Sequence, residues 1–126
     1  MNAQTITNIH EDIVKVLVKR LQDRPNQAIL SYDELCKNIE SQVGCRNIAA
    51  YLGDISYWCN EIGAPLLSVM VINKTRNRPG KGFFKLYADI NDMSVRSIDE
   101  ELIFITELRK VMEYRNWEKL KYYLGI

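Results

Sequence analysis

The chain is predicted to fold as an α+β domain. Its core is winged helix-turn-helix-like, three helices and a β-hairpin wing, followed by a C-terminal helical extension. Three observations predict this. Helical periodicity recurs three times before position 63, two short runs rich in β-formers follow around a cationic loop, and a last amphipathic stretch closes the chain. With 126 residues and 47% apolar content, one ordinary core is expected rather than two. Residues 1–90 are assigned to the winged-helix-like domain and 91–126 to a helical tail packing on the same core.

Three helix starts carry a small polar residue with an acid three positions later, a pairing that satisfies free first-turn amides: Asn8 to Glu11, Ser31 to Glu34 and Ser97 to Glu100. The first opens a helix with Ile9, Ile13, Val16, Leu17 and Leu21 on one face, ending before Arg24-Pro25. A short extended piece, AIL, precedes a brief second helix through Leu35 and Ile39. Gly44 breaks the chain ahead of a third helix, RNIAAYLGDISYWCNEIG, whose Ile48, Leu52, Ile55, Cys59 and Ile62 recur at helical spacing; Gly63 is placed to end it. LLSVMVIN and FFKLYA then read as two strands joined by KTRNRPGKG. A helix from about Ile98 to Tyr114 presents Leu102, Ile105, Leu108 and Met112, and NWEKLKYYLG ends the chain.

Formal net charge is +1, from 17 basic and 16 acidic side chains, so the whole-molecule field offers no bulk attraction to a polyanion. Any electrostatic function is therefore local. Residues 62–88 hold Lys74, Arg76, Arg78, Lys81 and Lys85 and no acid, which leaves −4 on the remainder. On a hairpin tip such side chains can straddle a phosphate backbone, with Gly80 and Gly82 permitting close approach. The bland alternative is a tip made cationic for solubility. On the third helix, Arg46, Asn47, Ala50, Asp54, Tyr57 and Glu61 fall away from the apolar stripe. Arg46 and Asn47 are suited to reading base edges, whereas Asp54 and Glu61 would repel phosphate; Arg46 can instead pair with a neighbouring acid.

Cys36, Cys45 and Cys59 match neither a CxxC pair nor metal-ligand spacing, and their odd number without a signal peptide points to a reducing cytoplasm. Cys36 and Cys59 read as small core groups. Cys45, beside Gly44 and Arg46, reads either as a thiol of lowered pKa at a helix start or as a packed residue. His10 reads as a surface residue of the first helix. Tyr57-Trp58 and the cluster Tyr114, Trp117, Tyr122 and Tyr123 form either an interaction surface or a pin for the terminal helix. No stretch approaches a membrane span, and no nucleotide-binding, metalloprotease or nucleophile-elbow pattern occurs. No catalytic residue, metal site, cofactor or membrane partner is assigned, and no enzyme is proposed.

From Ser31 to Phe83 the sequence resembles a known family. SYDELCKNI is similar to the TYGELA-type entry of alkylguanine-DNA alkyltransferases and alkyltransferase-like proteins. GCRNIAAYLGDI resembles their AARAVGxAL stretch on the DNA-reading helix, with Arg46 in place of the arginine that enters the duplex when a damaged base is turned out. APLLSVMVINKTRNRPGKGF follows at the distance of the family's strand, reaction-centre loop and Gly-rich continuation. The resemblance spans about 53 of 126 residues. It implies a DNA-binding scaffold, similar to one found in small prokaryotic and phage proteins. The reaction centre departs from the family: Leu67, Ser68, Val69, Met70, Val71 and Ile72 stand where an alkyltransferase has Pro-Cys-His-Arg-Val-Val. Alkyl transfer needs a thiolate, and a serine beside valine has no base to ionise it. Nor does an aromatic stand at Ser68, as it does in the relatives that recognise alkylguanine without repairing it.

Two functional readings follow. The first is a non-catalytic protein that binds nucleic acid, duplex DNA foremost, with Arg46, Asn47, Lys74, Arg76, Arg78 and Lys81 as contacts. The second is a protein-interaction module, such as a small phage or mobile-element inhibitor or adaptor, acting on an acidic or nucleic-acid-binding protein.

Overall fold

A computed structural model describes residues 5–39 and 47–126. The first helix, α1 (Asn8–Asp23), starts one residue earlier than expected because Thr7, not Asn8, is the N-cap, and His10 supplies the reciprocal arm of the capping box. The helix stops at Asp23, ahead of Pro25. Ile13, Val14, Leu17 and Val18 are fully buried, each contributing roughly 2 kcal/mol of apolar burial. Strand β1 (Leu30–Ser31) leads directly into α2 (Tyr32–Asn38), whose Ser31–Glu34 capping box forms with both arms in place. The Ser31 backbone amide, hydrogen-bonded to the Glu34 carboxylate, holds that carboxyl below its usual range.

Helix α3 (Ile48–Glu61) buries Ile48, Leu52, Ile55 and Cys59 as its periodicity requires. It ends in a two-bond C-terminal clasp. Gly63 takes a left-handed φ of 75°, its N–H donates to the Asn60 carbonyl, and the Ala64 N–H donates to the Cys59 carbonyl at 2.8 Å. The chain then winds through a 3-10 turn, Leu67–Met70, into β2 (Val71–Ile72), which pairs in parallel with β1 in the register Leu30↔Val71 and Ser31↔Ile72. Two parallel strands need a long crossover, and α2 and α3 supply it.

The hairpin wing is not formed. LLSVMVIN holds a four-residue 3-10 helix and a two-residue strand, and FFKLYA lies inside a helix, α4 (Lys81–Ile90). A short apolar run fits both periods, and here Lys81, Lys85 and Asp89 mark the solvent face at every fourth residue while Phe83, Phe84, Leu86 and Ala88 go inward. Burial of both phenylalanines against the core favours the helix. The loop between β2 and α4 closes on itself. The Asn73 side-chain oxygen accepts from the Thr75 and Arg76 amides, Asn73 and Arg78 form an isolated antiparallel bridge, and Asn77 is left-handed.

Helix α5 (Glu100–Glu113) is capped by Asp99 rather than by Ser97, and α6 (Trp117–Leu124) follows. The stripe expected to be buried on α5 is turned outward: Leu102 is 60% and Ile105 50% exposed, and Met112 is exposed too. Its buried face is instead Ile103, Glu107 and Val111. Apolar residues surround this helix, and Glu107 interrupts the stripe that packs, which disguised it. Ile103, Val111, Trp117 and Leu120 join the same hydrophobic cluster as α1, α3 and α4. The fold is thus helix-rich α+β with a two-stranded parallel sheet.

Candidate nucleic-acid interface

The cations of residues 74–81 separate into two groups. Arg76 is half-buried: one guanidinium nitrogen pairs with Glu100 of α5, another donates to the Pro79 carbonyl at 3.0 Å, and the group lies 5.9 Å from the Phe84 ring centroid. Arg78 approaches the same Glu100 carboxylate at 3.5 Å. These two arginines fasten the loop to α5, and the single Glu100 carboxylate offsets one of their two charges. Lys74 and Lys81 are exposed and form no ion pair among the described residues. Lys74 still acts through space on Glu34, helping to lower its pKa. Neither sequence periodicity nor spacing signalled Glu100 as the partner, since 24 residues of folded chain separate it from Arg76.

The polar side of α3 is likewise divided along its length. Asp54 accepts from His10 Nε2 on α1 at 2.9 Å; the Tyr57 hydroxyl donates to Asp89 of α4 at 2.8 Å; and Glu61 accepts from the Tyr123 hydroxyl on α6. The hydrogen bond to Asp89 raises the Tyr57 pKa. The two acids that argued against DNA therefore face neighbouring helices. Asn47, the exposed N-cap residue, makes no side-chain cap, and Ala49 and Ala50 beside it are exposed. Arg46, Cys45 and Gly44 lie outside the described residues.

His10 is a core residue, not a surface one, at 2% exposure. The Thr7 N–H donates to Nδ1 at 3.0 Å, so Nδ1 is an acceptor and the ring proton sits on Nε2, facing Asp54. Tyr51 and Trp58 meet the ring edge-on at 4.9 and 4.8 Å. These partners offset the cost of burying an imidazole and lock α1 to α3.

The N-terminal ends of α3 and α4 meet at one cleft of about 280 Å³, walled by Ala49 and Gly53 on one side and Gly80 and Gly82 on the other, with Tyr32 and Ser68 inside. The Gly80 N–H donates to the Tyr32 hydroxyl at 3.1 Å, and a Cβ at position 80 would come within 3.0 Å of that oxygen, so the contact depends on glycine. Ser68 is buried and shares a 2.5 Å hydroxyl contact with Ser56. A serine hydroxyl is not a base of the strength needed to activate another. Among the described residues no side chain caps α3, α4 or α6, whereas α1, α2 and α5 each have a side-chain cap. In α4 the Phe83 N–H turns back to the Gly80 carbonyl at 3.0 Å; first-turn amides without such a partner carry the positive end of the helix dipole and suit an anion.

Among the described residues, no group of three or more His, Cys, Asp or Glu could hold a metal ion, and no helix is long and apolar enough to cross a membrane. Comparison with protein-family models, with curated proteins and with solved structures found no match.

Proposed function

We propose that the protein binds duplex DNA without catalysing a reaction on it, through the joint N-terminal end of α3 and α4. The observation that carries this reading is the shared cleft, which brings two helix N-termini without side-chain caps together, with Lys81 on the first turn of α4. Backbone phosphates would dock on the first-turn amides and on Lys81 and Lys74, while Asn47, with Arg46 next to it in sequence, faces a groove. Arg76 and Arg78 act as supports for this surface rather than as contacts. The resemblance of residues 31–83 to alkyltransferase-type DNA-binding domains agrees with it: Ser68, where that family carries its cysteine, opens on the cleft that a turned-out base would enter. In this reading the winged-helix-like scaffold has a closed loop and helix in place of a hairpin wing.

One observation favours the second reading, a protein-interaction module. Leu102, Ile105 and Met112 form an exposed apolar row on α5. Fluorescence anisotropy with a labelled duplex separates the two. At ~50 mM salt the wild type is expected to bind in the micromolar range or tighter. The Lys74→Glu/Lys81→Glu variant should bind at least ~10-fold more weakly, with the log-log salt slope reduced by about 1.8. No binding by the wild type under these conditions would leave the interaction module as the better reading.

A further inference from the structure

Helix α5 packs on the core through Ile103, Glu107 and Val111, and its opposite side is turned to solvent. That outer face is centred on Ile105, which is exposed. On a helix, the residues three, four and seven positions to either side of a given one share its face. Around Ile105 these are Leu102 and Leu108 at three, Glu101 and Arg109 at four, and Met112 at seven, with Ile98, just ahead of the Asp99 N-cap, as its counterpart. Outward from Ile105 the apolar residues match in both directions, while the charges are opposite in sign. Leu102 and Met112 are exposed, and Leu108 and Ile98 are half-buried. Glu101 and Arg109 are exposed too, and neither forms an ion pair among the described residues.

We propose that this face is a homodimer interface, in which α5 packs antiparallel against α5 of a second copy with the twofold axis at Ile105. A twofold contact is self-complementary: when residue i meets residue j, residue j also meets residue i. With the axis at Ile105, that side chain meets its own copy. Leu102 of one copy stands level with Leu108 of the other, and Ile98 with Met112. Glu101 of each copy stands level with Arg109 of the other, which gives two rim ion pairs and sets no charge level with its like. A parallel pairing would instead set Glu101 beside Glu101 and Arg109 beside Arg109, so the charges select the antiparallel arrangement. An apolar strip edged by single charges of both signs suits a second copy and does not suit a polyanion. One helix face buries less than the roughly 800 Å² per partner of a standard interface, so the dimer is weak and concentration-dependent.

Sedimentation velocity of the full chain, without nucleic acid, over about a hundredfold range of concentration reaching ~100 μM, is the test. The wild type is expected to pass from monomer to dimer. Ile105→Asp, at an exposed position, should weaken association at least ~10-fold with the far-UV circular dichroism unchanged. Glu101→Arg and Arg109→Glu should each weaken it about fivefold, because either change alone sets like charges across the axis. Mixing these two variants should restore association, since in the mixed pair every charge faces its opposite. A wild type that stays monomeric over the whole range would leave the face to a different protein and overturn the proposal. So would a dimer that Ile105→Asp leaves intact, or single-charge variants that mixing does not rescue. Duplex binding at the N-terminal ends of α3 and α4 is measured separately, so failure of one reading is distinct from failure of the other.

Discussion

Single side chains decide how this chain spends its polar groups. His10 in a first helical turn carries no sequence mark of burial, because its partner Asp54 lies 44 residues away. Cys59 is the opposite case, since helical spacing alone puts it inward, where it is fully buried with a free thiol. Burial pushes that thiol from 9.0 to about 12, against backbone hydrogen bonds at Leu67 and Cys59 that pull it down. The folded state therefore keeps a proton that the unfolded chain releases. Stability from this group is complete below pH 9 and is lost as pH rises from 9 through about 12, by about 1.4 kcal/mol per pH unit while the difference lasts. Urea denaturation at pH 8, 9.5 and 10.5 should show a shallower alkaline decline for Cys59→Ala than for wild type, on top of a loss of about 1–2 kcal/mol at pH 8 from the smaller side chain. An unchanged slope would contradict the assignment.

Elements were legible wherever one period fitted and a cap confirmed it. The Ser31–Glu34 box, the stop before Pro25 and the Gly63 terminus of α3 all carry their chemistry within a few residues. Where two patterns coexist, only packing chooses. FFKLYA alternates like a strand, yet with its neighbours it also presents Lys81, Lys85 and Asp89 on one helical face. On α5 the stripe without a charge looked like the core face, yet the one containing Glu107 is buried. The candidate site was legible only in part. The exposed cations Lys74 and Lys81 and the N-terminal Asn47 could be picked from sequence, but the capture of Arg76 and Arg78 by Glu100 is a tertiary event. That clamp is worth little in itself because all three side chains are partly exposed. A double-mutant cycle on Arg76→Met and Glu100→Gln should give a coupling of roughly 0.5–1 kcal/mol in thermal or urea unfolding. A coupling near zero would remove the argument that Arg76 is held for the fold.

At the scale of the molecule, near-zero net charge conceals an uneven distribution. The cationic segment 62–88 contains α4 and the loop before it, and the first turn of α4 shares a cleft with the first turns of α3. On the proposed reading, two helix ends without side-chain caps and two exposed lysines take the place of the hairpin wing that the sequence suggested. Long-range steering is weak for such a protein, so binding depends on close contact and should fall steeply with salt. Titration of the 15N-labelled protein with a short duplex at ~50 mM salt maps this face directly. Saturable amide shifts should cluster at residues 47–50 and 80–82, extend to Lys74, and spare α5. Shifts confined to Leu102, Ile105 and Met112, or no saturable shifts at all, would contradict the assignment of this end of α3 and α4 to DNA.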